Sequence, residues 1–368
     1  AQIISISQDA NGFIWLAGVN RLFRFDGQQF KAYQNTGNEF SVVPAVKITT
    51  LFTSSGGTLW LGSENGISHY NFYRDKFIGP PEGWEKVHVF DFAEDNENNL
   101  WIATDEGLAR FNPKNSKTTW YTGSDTIKTP ENAILPTSNI FEVACQPDGK
   151  IWFSGSYGGL YRLNPQTLEV EDFNHFGGTN FGSFQIDDLQ FSNNQLFAGT
   201  VTNGFFWFNP NDKKVNHQHF DHFGYNIHHF LLDDDSIAWL ASNNGLIRFN
   251  IQTNQFHRYI NDPFDPLSMD RTAVDHVYLD NEKNLWISSG IRGVNYGLTN
   301  VPFYHFQSSS TGPYQLTQKE VTSILFDHNN NMGLGYEAGL VEKHSHNPLK
   351  MEQFQLTSKS GTGTPGSV

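Results

Sequence analysis

The stretch Asp95-Asn96-Glu97-Asn98-Asn99-Leu100-Trp101-Ile102-Ala103-Thr104, continued by Gly107-Leu108-Ala109-Arg110-Phe111-Asn112, decides the fold because the chain repeats it. A polar turn runs into a short apolar segment with Trp. A loop closing on Gly follows, then a second apolar segment carrying Arg. The same order returns around Trp15, Trp60, Trp152, Phe197, Trp239 and Trp286, and in worn form at Gly333. The spacing ranges from 41 residues (Trp60 to Trp101) to 51 (Trp101 to Trp152). Eight copies at a period of ~40–50 residues point to four-stranded propeller blades.

Each copy supplies four strands. Apolar segments such as Ile3 to Ser7, Val87 to Ala93 and Val274 to Leu279 read as the first. Short Asx side chains bond their own backbone and Gly permits positive φ. Gln8-Asp9-Ala10-Asn11-Gly12, residues 94–99 and Asp233-Asp234-Asp235-Ser236 therefore read as hairpin turns rather than calcium loops. The second strand, Phe13-Ile14-Trp15-Leu16 in copy one, is apolar on both parities, so neither face meets water. Blades sandwiched between blades meet that demand. Third strands carry Arg24, Arg110, Arg162 and Arg248 at one recurrent position, which suits a recurrent structural task. Aromatic pairs such as Trp120 with Tyr121, Phe256 with Tyr259, and Phe303 with Phe306 mark the fourth.

The chain thus reads as all-β, a β-propeller of four-stranded antiparallel blades with eight sequence repeats. A seven-bladed ring plus the first blade of a second ring is favoured over one eight-bladed ring, because copy eight has Gly333 in place of Trp. Residues 1–306 are then repeats one to seven, 307–357 the eighth repeat, and 358–368 a flexible end leading to a further repeat.

Composition narrows the partners. Against 38 Asp+Glu stand 24 Lys+Arg, a formal net charge of −14, which excludes a nucleic-acid binder relying on a basic face. No apolar window approaches the ~18 residues that cross a bilayer, so any membrane attachment would come from flanking segments. The single Cys145 excludes an internal disulfide and reads as a small buried residue. No P-loop, dinucleotide fingerprint, nucleophile elbow or HExxH helix appears, so no catalytic residue, cofactor or metal is assigned. His217 and His219, in a group with His222, His228 and His229, have the i, i+2 spacing of a zinc or copper pair. Without supporting cysteines or carboxylates, structural or surface histidines are the preferred reading.

The string D-x-x-G-x-[IL]-W-[IL]-[GA]-[ST]-x-x-G-L-x-R-[FY]-[DN] resembles the two-component regulator propeller repeat. The resemblance runs from residue 3 to about 357, and Gly293-Val294-Asn295-Tyr296 with Pro302-Phe303-Tyr304-His305-Phe306 resembles a late repeat of that family's first ring. It implies a periplasmic sensing region of an inner-membrane receptor, a two-component histidine kinase, a hybrid kinase-regulator or a GGDEF diguanylate cyclase. It also implies a carbohydrate or other polar small molecule as ligand. The fragment itself is then not an enzyme, and a homodimer of the full-length receptor is left open.

Departures from the repeat supply the candidate site. A ring of like blades cannot orient an asymmetric ligand, so specificity falls to copies that differ on the loop face. Copy one has Arg21, after Asn20, where other copies have Gly; copy four inserts Tyr157, and copy seven Arg292. Asn20, Arg21, Tyr157 and Arg292 are the candidate ligand-binding residues, with the long connections Thr122 to Ser138 and Asn261 to Thr272 on the same face. Two alternatives stay open. One is a lyase or hydrolase, marked by a convergent acid–base pair with shifted pKa values in the central pocket. The other is a structural or dimerisation platform, marked by a flat loop face.

Overall fold

The computed structural model describes residues 2–18, 21–33, 47–123, 134–155, 158–220, 226–233, 236–263, 268–289, 293–298, 321–328, 331–336, 340–346 and 349–355. The chain divides into two compact units, Ala1–Asp262 with Leu267–Thr299, and Pro263–Pro266 with Asn300–Val368. In the first unit the chain folds into successive antiparallel sheets, each a meander in sequence order. Their inner strands are Ile3–Gln8, Ile48–Thr53, Val89–Glu94, Ile140–Cys145, Ile186–Ser192, Ile227–Leu232 and His276–Leu279. Blades one to six have four strands each. Blade seven shows three, and Phe303 and Phe306, expected on its fourth, lie outside the described residues.

The ring closes at seven blades. Trp286 of blade seven packs in one buried cluster with Ile3, Ile6, Ile14 and Leu16 of blade one. That contact leaves no room for an eighth blade between them. Copy eight forms its own four-stranded sheet in the second unit, Val321–Phe326, Met332–Tyr336, Leu340–His346 and Leu349–Gln355.

Blade-to-blade burial holds the ring together. Trp15 is fully buried against Leu51, Leu59 and Leu61 of blade two, and Trp152 against Leu189, Leu196 and Phe208 of blade five. Every second strand of the ring is buried along its whole described length, apart from Gln195 of blade five, as its two-sided apolar pattern requires.

The turn residues have a second task. The indole N–H of Trp15 donates to Asp9 at 2.8 Å, that of Trp101 to Asp95 at 3.0 Å, and that of Trp286 to Asp280 at 2.9 Å. In blade four Gln146 accepts from Trp152 at 2.9 Å. A buried N–H needs an acceptor, which ties the Asp of the motif to the Trp six residues on in blades one, three and seven; in blade six Asp233 meets Lys283 instead, and Trp239 Nε1 has no partner among the described residues. The recurrent Arg lies over the same Trp, at 5.8 Å from the Trp101 ring for Arg110 and 5.1 Å from the Trp152 ring for Arg162. Gly107 adopts φ 119°, and a Cβ there would stand 2.2 Å from the Tyr121 carbonyl oxygen, so the loop closure demands glycine.

Candidate functional site: the central channel

The inner strands carry a pattern that ordinary alternation does not explain. In blades one to six their first and fourth residues are buried and apolar, as in Ile48 and Leu51, or Ile186 and Leu189, and Val274 and Val277 are the buried pair of blade seven. Apolar neighbours three apart would face opposite ways on a regular strand. A β-bulge resolves the conflict. Pairing to the second strand skips one residue between Ile3 and Ser5, Ile48 and Thr50, Ile140 and Glu142, Ile186 and Asp188, and Ile227 and His229. In blade three the partners of Ala103 and Thr104 are Asp91 and Val89, the same skip. Bulges re-aim side chains, and here the third residue of each of the first six inner strands lines the centre of the ring, as does His276 of blade seven, two residues past the buried Val274.

Those seven residues are Ser5, Thr50, Asp91, Glu142, Asp188, His229 and His276, and with their neighbours they enclose a cavity of about 510 Å³. Asp187, His228 and Asp275 add to its lining, and among the described residues no Lys or Arg does. Blades one and two thus contribute hydroxyls, and blades three to seven contribute carboxyls and imidazoles.

Part of this set serves the scaffold. The Leu51 N–H donates to Ser5 Oγ at 3.1 Å, the Val143 N–H to Asp91 Oδ2 at 3.1 Å, and the Phe230 N–H to Asp188 Oδ2 at 2.7 Å. In each case the side chain of one blade satisfies a backbone donor of the next. His228 Nδ1 lies 3.3 Å from Asp187 Oδ2, and the rings of His229 and His276 stack with centroids 3.7 Å apart. Other atoms of the wall have no partner: Thr49 Oγ1, His229 Nδ1, His276 Nδ1 and Asp275 Oδ2. Unpaired buried polar atoms are rare enough to need a reason.

Burial and crowding set the protonation of the channel. Burial pushes the Asp91 carboxyl up to about 7, against the opposing N–H groups of Val143 and Phe92. Glu142 is held well above the usual carboxylate range by burial first and then by the nearby carboxylates of Asp91 and Asp188. Asp188 is raised likewise by burial, with Asp91 and Asp187 adding and the Phe230 N–H opposing. Burial lowers His229 to about 4, and lowers His276 well below the ordinary imidazole value with a contribution from His229. Burial and crowding thus favour the protonated forms of Asp91, Glu142 and Asp188 and the neutral forms of His229 and His276.

Of the residues singled out from sequence, Arg21 opens the third strand of blade one, exposed and opposite Gly18. Asn20, Tyr157 and Arg292 lie outside the described residues, as does His222. His217 is engaged with the scaffold: its Nε2 lies 2.7 Å from the Asn203 carbonyl oxygen and its ring stacks on Phe206 at 4.1 Å. His228 and His229, read from sequence as structural or surface residues, line the channel. The turn carboxylates read as hairpin residues are occupied by donors; Asp95 Oδ1 accepts from Glu97 N and Asn99 N, both at 2.9 Å.

The channel set was missed by searching loops alone for departures from the repeat. The signal lay on the inner strands, where the first and fourth positions recur as apolar residues while the third runs Ser, Thr, Asp, Glu, Asp, His, His.

Residues 84–106, the inner half of blade three, match the family model described as the two component regulator propeller. That segment carries one such repeat. Among curated relatives, the chain is similar to histidine kinase P4 of Formosa agariphila, 32% identical over 77 residues, 17% of this chain and 5% of the kinase. Among solved structures, the fold is similar to the extracellular domain of BT3049 of B. thetaiotaomicron, assigned to a hybrid two-component system (TM-score 0.70, 22% identity, 98% of this chain and 48% of that one). The corresponding domain of BT4673 is similar at a TM-score of 0.69 and 19% identity, covering 98% and 46%. Virginiamycin B lyase from Staphylococcus aureus shares the fold at 0.61 and 13%, covering 81% and 95%. The chain spans about half the length of the two-component domains it matches.

Proposed function

We propose that this regulator propeller is the extracytoplasmic, periplasmic ligand-sensing part of a membrane receptor with a histidine kinase or cyclase output, and that it has no turnover of its own. The observation that carries the reading is the central channel: inner-strand positions that do not recur from blade to blade line an open cavity with ionisable groups. The ligand is a carbohydrate or another polar small molecule, which such a cavity accommodates in size and polarity. Inner strands begin at the face where second and third strands join, since Ile3 pairs with Gly18 and Gly18 with Arg21. Arg21 on that face then belongs to the rim, and the channel is the floor; Asn20, Tyr157 and Arg292 are proposed as ligand contacts on the sequence pattern alone. Thermal-shift titration of the purified chain against a panel of oligosaccharides and polar metabolites tests the reading, with a saturable rise in melting temperature expected. A reading frame that ends without a membrane span or an output domain would contradict it.

A second reading, a hydrolase or lyase, draws on the raised carboxyls of Asp91 and Glu142, since a protonated acid beside a base is the equipment of proton transfer. Turnover of glycoside or ester substrates, abolished by Glu142→Gln, would favour it over the sensor.

A further inference from the structure

The wall chemistry of the channel is one-sided. Carboxyls enter from blade three (Asp91 and Glu94), blade four (Glu142), blade five (Asp187 and Asp188) and blade seven (Asp275), and among the described residues no Lys or Arg lines the cavity to balance them. Elsewhere cationic groups do reach acids: Arg110 meets Asp95 and Glu97, and Arg162 meets Glu171. Asp275 Oδ2 has no donor, and the imidazoles of His229 and His276 each leave Nδ1 unpaired. His229 Nε2 lies on the Asp188 side, 3.9 Å from Oδ2, so its free Nδ1 is the acceptor nitrogen when the proton sits on Nε2. What the cavity lacks is a donor with positive charge.

Resting on the sensor reading above, we propose that the channel binds a small organic cation, with a primary ammonium group seated among Glu142, Asp188 and Asp275. An ammonium carries three N–H donors and no acceptor, which complements a wall of acceptors. A cavity of about 510 Å³ is far larger than a bare metal ion and of the size that takes a small organic molecule. Crowded carboxyls that hold protons when the channel is empty release one when the ammonium enters, so the proton passes to the buffer and the ligand's charge replaces it. Two sources share this chemistry, an alkyl diamine and an amino sugar.

Calorimetric titration of the purified chain near pH 7, in two buffers of different ionisation enthalpy, tests the inference with matched probes. 1,4-Diaminobutane is compared with 1,4-butanediol, and D-glucosamine with N-acetyl-D-glucosamine. The expected result is saturable binding of at least one amine with proton release. Its neutral counterpart should bind at least about tenfold more weakly, a difference of about 1.4 kcal/mol. Whichever amine binds identifies the source. Asp275→Asn, which removes a carboxylate oxygen that no donor uses, should weaken the amine by about tenfold or more. Glu142→Gln should do the same, so that a folding defect in one variant leaves the other to decide. Absence of saturable amine binding overturns the inference, as do neutral probes binding as tightly or amines binding unchanged in both variants. If N-acetyl-D-glucosamine binds as tightly as D-glucosamine, the cation inference falls while the sensor reading stands.

Discussion

The backbone N–H of Asn281 donates to Gln8 Oε1 at 2.8 Å, joining blade seven to blade one across 273 residues of sequence. The same seam holds Trp286 against Ile3, Ile6, Ile14 and Leu16. Trp286→Ala should open the ring at its closure and cost about 3–5 kcal/mol, as large-to-small core changes do. Urea unfolding of the variant checks this. A loss below about 1 kcal/mol would mean that the seam does not carry the ring.

The pairing of turn acid and indole predicts two opposite changes. Asp95→Ala leaves the Trp101 N–H unpaired and should cost about 1–3 kcal/mol. Blade two has Ser54 at the corresponding place, and the buried Trp60 Nε1 has no partner. Ser54→Asp supplies the missing acceptor and should stabilise the chain by about 1 kcal/mol. Thermal melts of both variants decide whether the acid is chosen for the indole or only for the turn.

Channel acids give the stability a distinctive pH dependence. Asp91 titrates near 3.8 when unfolded and is raised to about 7 when folded, so the folded chain holds more protons between those values. Stability contributed by its protonated form is therefore full below about pH 4 and declines as pH rises toward 7, with a slope of up to about 1.4 kcal/mol per unit for one proton. Glu142 and Asp188, raised in the same direction, steepen the decline. Asp91→Asn should flatten the curve between pH 4 and 7, measured by urea unfolding at several pH values. An unchanged slope would show that the carboxyl is not held protonated.

Much of this was legible before any coordinates. The Trp period and the two-sided apolar second strands give seven blades and an eighth copy, because a blade between blades has no wet face. The tie of Asp95 to Trp101 was half legible: the turn was evident, the indole acceptor was not, since the six-residue spacing crosses the turn. The channel was not read because the β-bulge after Ile140 or Ile186 shifts the side-chain parity by one residue. Glu142 and Asp188, in ordinary alternation, would share the face of Ile140 and Ile186. Only the pairing register reveals that they face the axis.

Arg21 tests the rim of the proposed site separately from its floor. The side chain is exposed at the start of its strand, so Arg21→Ala should change stability by no more than about 0.5 kcal/mol. A weakened response to a ligand from the panel, with the melt unchanged, would place that ligand on the rim. Full affinity would remove Arg21 from the site.

The central claim is that ligand enters the channel, and filling the channel tests it most directly. Thr49 lines the cavity and its Oγ1 has no partner, so Thr49→Trp adds bulk to the lumen without removing a hydrogen bond. Titrating a ligand that stabilises the parent chain into this variant should show binding lost and the melting temperature of the free protein preserved. Binding at the parent's affinity in the plugged ring would contradict the account and place the ligand elsewhere.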